Sequence, residues 1–114
     1  MEIENARRAW SFALTAGWAD TIEGCLESLY DFFDIRCRFQ EGIELFAQTP
    51  AAWGKVPALR GILGKVRARQ GAMHRHLNHY QQARDLLQEG LRAAELDAQF
   101  AEMVFCLTNL TNIL

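Results

Sequence analysis

The chain has 114 residues, half of them apolar, and a formal charge of −2. That suits one domain burying roughly two-thirds of its unfolded surface. Its apolar runs are broken by Arg, Glu or Asp well short of the ~20 residues that a membrane span needs, and MEIENARR lacks the apolar stretch of a signal peptide, so a cytoplasmic protein is expected.

In chain order, Ala6, Ala9, Trp10, Ala13 and Leu14 keep a helical period, and Gly17 suits a left-handed terminator. Asp20, three residues before Glu23, reads as a capping-box start for a second helix, with Ile22, Leu26, Leu29, Phe33 and Cys37 along one face. A third helix carries Phe39, Ile43 and Phe46 and is expected to stop before Pro50. The prolines bracket TPAAWGKVP, the one clear linker, here bounded as 50–57. Pro57 then fits the first turn of a long helix striped by Leu59, Ile62, Leu63, Val66, Met73 and Leu77. Asn78-His79 breaks it. A fifth helix follows with Tyr80, Ala83, Leu86, Leu87, Leu91 and Ala94, and a sixth runs from about Ala98 to the end. No stretch alternates with period two, so the expected fold is all-α.

Charge is segregated along this order. Residues 1–44 carry nine acids and four bases, residues 45–84 no acid and seven bases, and residues 85–114 five acids and one base. Cys25, Cys37 and Cys106 lack C-x-x-C spacing, so neither a disulfide framework nor a zinc knuckle is implied, and all three are expected to be buried and reduced.

The sequence repeats internally. Phe39-x2-Gly42-x3-Phe46 and Tyr80-x2-Ala83-x3-Leu87 lie 41 residues apart. Leu26-x2-Leu29-Tyr30-x2-Phe33, Arg67-x2-Gln70-Gly71-x2-His74 and Leu107-x2-Leu110-Thr111-x2-Leu114 recur at offsets of 41 and 40. The small residue lets two helices approach closely while the large ones fill the groove beside it. These motifs resemble those of tetratricopeptide repeats, although Tyr30 and Thr111 replace the small Gly and the spacing exceeds that family's usual length of about 34. The longer repeat is similar to the helical arms that follow the nucleotide-binding module in STAND-class signalling ATPases, including LuxR-like transcription regulators.

The resemblance implies antiparallel helix pairs stacked in a right-handed superhelix: a lead helix over 1–18, repeats over 20–49 and 58–96, and the first helix of a third over 98–114, within a larger protein. It further implies a non-catalytic sensor or interaction arm. No G-x-x-x-x-G-K-[ST] phosphate cradle occurs in these residues, and no cofactor is expected.

Candidate sites follow from this frame. His74, His76 and His79 fall within six residues. His74 and His76 lie about 200° apart on a helix and cannot share one ion, so packing and turn roles are expected, each histidine pointing a different way, and no metal site. The first helix of each pair should line a concave face, with Glu27, Asp31 and Asp34 from one repeat, Lys65, Arg69, Arg75 and His76 from the next, and Thr108, Asn109 and Asn112 from the third. Two readings are open there. The face could be a groove for a protein, a peptide or a small charged inducer, whose binding across the charged walls shifts the curvature of the stack; alternatively, neighbouring helices neutralise each other. A free-standing adaptor would clamp an acidic peptide with Lys65, Arg69, Arg75 and Asn109. Nucleic acid is disfavoured by the flanking acids. Enzymatic chemistry is not expected, because no nucleophile stands beside a recognisable base. Among the tryptophans, Trp10 and Trp18 read as packing anchors, and Trp53 of the linker as the one to test for ligand contact. Phe100, Met103, Val104, Phe105, Leu107, Leu110, Ile113 and Leu114 put apolar side chains on more than one side of the last helix, which predicts self-association through an end face.

Overall fold

The computed structural model describes residues 3–113 and is all-helical, with no strand among them. Met1, Glu2 and Leu114, the last completing the third repeated motif, lie outside the described residues. The six helices are α1 (Ile3–Ala16), α2 (Ala19–Ile35), α3 (Phe39–Trp53), α4 (Arg60–His76), α5 (Tyr80–Leu96) and α6 (Phe100–Thr111), with a 3-10 turn over Pro57–Leu59 leading into α4. No described helix is long and apolar enough to cross a membrane.

Four of the five connections are built alike. Gly17, Cys37, Asn78 and Ala98 take φ of 75°, 54°, 63° and 54°. In each turn the next amide donates to a carbonyl five residues earlier: Trp18 to Ala13 at 2.9 Å, Arg38 to Phe33 at 2.9 Å, His79 to His74 at 2.9 Å, and Gln99 to Ala94 at 2.8 Å. The left-handed residue's own amide closes the inner bond, as in Gly17 to Leu14 at 3.2 Å and Ala98 to Glu95 at 3.3 Å. This is the Schellman arrangement, and it satisfies the helix-end carbonyls without help from a side chain. Gly17 is thus the left-handed terminator expected of it. The capping box at Asp20 and Glu23 does not form: Trp18 occupies the N-cap position with no side-chain cap. The chain turns straight from Gly17 into α2, which leaves Asp20 inside the first turn.

The fifth connection departs from expectation. α3 does not stop before Pro50 but runs through it to Trp53. Trp53 is buried, and its ring N–H donates to the carbonyl of Leu14 at 3.1 Å, which holds the final turn against α1. Trp53 is therefore a packing anchor in a helix rather than a linker residue open to ligand. Pro57 stands at the start of the 3-10 turn, where its missing N–H costs nothing.

One apolar core joins α1 to α4. It holds Trp10, Ile22, Leu26, Phe33, Phe46, Leu63, Val66 and Met73, while Ala68, Leu87 and Cys106 form a second cluster with Leu91, Phe105 and Leu110 around it. The repeated small residues work as close-approach points. A Cβ on Gly71 would lie 2.9 Å from Cγ of Leu87, and one on Gly64 would lie 2.5 Å from Cβ of Ala93. Helices α4 and α5 thus pack nearly backbone to backbone. Helix α4 also touches α2, α3 and α6, so it is the element against which the rest is assembled.

Candidate functional site

The predicted face consists of α2, α4 and α6 lying side by side, and its charged residues bond across the helix boundaries. Arg69 is only 4% exposed at its side chain. Its Nε donates to Glu27 Oε1 at 2.6 Å, and Nη1 and Nη2 grip the carboxylate of Glu102, the latter at 2.9 Å. The guanidinium also lies 4.1 Å from the centroid of the Phe105 ring, a cation–π geometry. Burial alone would depress the Arg69 pKa, but Glu102 and Glu27 outweigh it and raise the net value. A buried charge is tolerated only when paired and hydrogen-bonded, and this one is paired twice.

The same pattern holds along the face. Lys65 Nζ donates to Glu23 Oε2 at 2.9 Å. Arg75 Nε donates to Asn109 Oδ1 at 3.1 Å, while the Asn109 amide donates to the carbonyl of Phe105 at 2.9 Å. His76 stacks on Phe39 with centroids 4.5 Å apart, and its Nε2 lies 3.4 Å from Asp34 Oδ1. Burial lowers its pKa, Arg75 adds to this, and Asp34 opposes it. Tyr30, edge-on to Phe105 at 5.6 Å, has its hydroxyl pushed up to about 12 by burial and then by Asp34.

Of the ten predicted residues, the structure therefore joins Glu27 to Arg69, Asp34 to His76, and Arg75 to Asn109. Lys65 bonds a residue that sequence reasoning passed over, Glu23, while Asp31, Thr108 and Asn112 are exposed on the same helices. Glu102, which holds Arg69 most tightly, was also passed over. Its signal was present: it is the only acid in the last helix, facing a stretch with no acid of its own. The acidic and basic walls meet rather than flank a channel. Where Lys65 and Glu102 meet Gly90, Ala93 and Ala94 of α5, the space left between the helices is only about 10 Å³.

The histidines do not diverge as expected. His74 and His79 bring their Nδ1 atoms to 3.0 Å, one donating and the other accepting, because the Schellman turn folds His79 back over the end of α4. Burial and then His79 lower the pKa of His74. The cysteine expectation also needs correction. Cys106 is buried, its thiol pushed up to about 11 by burial and then by Glu102, but Cys25 and Cys37 are exposed. Cys37 is the left-handed turn residue, which lies beyond the helical face to which it was assigned. Cys25 opens onto a groove.

That groove lies between α1 and α2 and measures about 450 Å³. Small side chains line it: Ala6, Ala9 and Ala13 from α1, and Gly24, Cys25 and Ser28 from α2, with Trp10, Ile22 and Leu29 at its base. Trp10 is buried, and its ring N–H has no acceptor among the described residues. No group of three or more His, Cys, Asp or Glu side chains among the described residues is arranged to hold a metal ion. Comparison with protein-family profiles, characterised proteins and solved structures returned no match.

Proposed function

We propose that the chain is a non-catalytic helix-pair repeat module, a tetratricopeptide-like α-solenoid segment with right-handed stacking, that binds a partner helix in the α1–α2 groove. On this reading it acts in the cytoplasm as the sensor or interaction arm of a larger signalling or transcription-regulating ATPase.

One observation carries the helix-binding reading: the groove repeats, uncovered, a surface that is covered elsewhere in the same chain. The turns at Gly17 and Ala98 lie 81 residues apart and share one geometry. At that offset α1–α2 corresponds to α5–α6, with Ala9 matching Gly90 and Cys25 matching Cys106. A Cβ on Gly90 would lie 3.0 Å from Cβ of Ala68 and 3.3 Å from Sγ of Cys106, so α4 is seated where α5 and α6 meet. Ala9 and Cys25 line the open groove in the matching places. A helix fits there for the reason that α4 fits its own seat: small residues on the groove floor let backbones approach and bury the flanking apolar side chains.

The test uses the thiol in the groove. In a Cys37→Ser chain, Cys25 is the exposed cysteine and the raised pKa of Cys106 keeps that thiol slow. A peptide spanning residues 57–77, the α4 helix that fills the matching seat, should slow Cys25 modification saturably, and a scrambled peptide should not. Equal rates with both peptides would remove the helix-binding reading.

A further inference from the structure

Helix α6 carries the counterpart of the open groove. Phe100, Val104 and Leu107 are 73%, 63% and 51% exposed. Only one side of the helix, through Cys106 and Asn109, is buried against α4 and α5. At the repeat offset of 40, the residues by which α4 approaches α5, Gly61, Gly64, Ala68 and Gly71, correspond to Ala101, Val104, Thr108 and Thr111. All four of the latter are exposed. They form a seat for a helix that follows α6 as α5 follows α4.

We propose, resting on the reading of the α1–α2 groove as a helix seat, that its occupant is α6 of a second copy of this chain, joining copies head to tail. The two open faces are the halves of a single joint. When α6 enters the groove of the next copy, that copy's α1 covers the Ala101, Val104, Thr108 and Thr111 stripe and stands to α6 as α5 stands to α4. Its α2 then takes the place of the following first helix, as α4 does beside α2.

The chemistry of the two faces agrees. Neither the groove lining nor the stripe includes a charged side chain, so no charge is desolvated. Alanine, glycine and serine line the groove above Trp10, Ile22 and Leu29, and the α6 stripe offers the β-branched side chains of Val104, Thr108 and Thr111. A head-to-tail joint uses two different surfaces and leaves one of each free in a dimer, so association continues past the dimer to a ring or an open filament.

Sedimentation velocity of the chain and two variants decides the matter. Ala9→Glu blocks the groove, and Val104→Glu blocks α6; both positions are exposed, so the fold, checked by circular dichroism, tolerates the change. The unaltered chain should grow beyond dimer with concentration and persist at high salt. Each variant alone should be monomeric, with affinity lower by at least about tenfold, the cost of burying one unpaired carboxylate. Mixed in equal amounts, the variants should form dimers and nothing larger, because each keeps the half-joint the other lacks. Ser28→Glu with Thr108→Glu repeats the test at independent positions. A chain that stays monomeric at every concentration overturns the proposal, as does a dimer that both variants retain or a mixture that stays monomeric. If the α4 peptide still protects Cys25 in that case, the groove remains a helix seat and only the second copy is wrong as its occupant.

Discussion

Three of the four left-handed turn residues are not glycine, and this has a measurable cost. A Cβ in the left-handed region meets the following carbonyl at a cost of roughly 1–2 kcal/mol, which Gly17 avoids and Cys37, Ala98 and, in smaller degree, Asn78 do not. Ala98→Gly should therefore stabilise the chain by about 1 kcal/mol, despite the greater freedom of glycine when unfolded. The reverse change, Gly17→Ala, should cost a similar amount, since a Cβ there meets nothing within 4 Å and only backbone strain is added. Thermal unfolding should show the two midpoints moving in opposite directions, and a fall for Ala98→Gly would contradict the assignment of strain.

The histidines give the residue scale a pH dependence. Burial and the neighbouring His79 keep the His74 pKa below its ordinary value, so the unfolded chain binds that proton more readily. Stability from this group is complete above the ordinary histidine value of ~6.5 and is lost as pH falls through the lower folded value. His76 contributes with the same sign, because burial and Arg75 outweigh Asp34. The urea midpoint should fall between about pH 7.5 and pH 5, and His74→Phe, which puts an aromatic at the position matched by buried Phe33, should flatten part of that slope. An undiminished slope in the variant would mean that the pH dependence arises elsewhere.

At the scale of elements, α4 decides what its neighbours can do, and two kinds of residue on it show how. Gly64 permits the close crossing with α5. Gly64→Ala should destabilise by about 1–3 kcal/mol through overpacking against Ala93, even though alanine is the better helix former. Gly24→Ala, on the open groove side of α2 with nothing within 4 Å, should stabilise by up to about 1 kcal/mol. The second kind is Arg69. Arg69→Ala leaves the carboxylate of Glu102, only 14% exposed, without its partner, and should cost about 3 kcal/mol or more. Glu27→Gln, at a position 62% exposed, should cost less than about 1 kcal/mol. Denaturant titration of the four variants separates these cases, and a small loss for Arg69→Ala would show that the pairing is not what secures α6 to α4.

Much of this was legible in the sequence, for identifiable reasons. Helix periodicity emerged because α2 and α3 each bury an apolar stripe, Ile22, Leu26, Leu29 and Phe33 on one and Ile43 and Phe46 on the other, and the charge segregation announced the bonds between α2, α4 and α6. What it left open was whether those charges meet or face a channel, since that depends on helix separation, which residue types alone do not set. Pro50 misled because a proline usually ends a helix, whereas here the tertiary anchor of Trp53 on Leu14 sustains another turn. Cys37 and Ala98 concealed the shared turn geometry by lacking glycine. The groove went unread because alanines at helical spacing look like ordinary core.

The arrangement of the whole molecule sets an order of local stability. Helix α4 packs closely on four other helices, whereas α1 packs closely on α2 and α3, and α6 on α4 and α5 with Tyr30 of α2 at its edge. Helices with an open side and few packed neighbours unfold locally at the lowest free energy. Native-state hydrogen exchange on the dilute chain should therefore find the slowest amides in α4 and the fastest in α1 and α6. The gradient itself follows from how many helices pack on each one and needs no association. Raising the concentration adds a second expectation: if α6 of one copy lies in the groove of the next, protection should rise in α1, α2 and α6 while the α4 and α5 rates stay fixed. The variants with blocked joints should keep the dilute pattern at every concentration. A uniform rise across all helices would instead point to a general increase in stability, and uniform protection in the dilute chain would mean that its two ends are as tightly held as its centre.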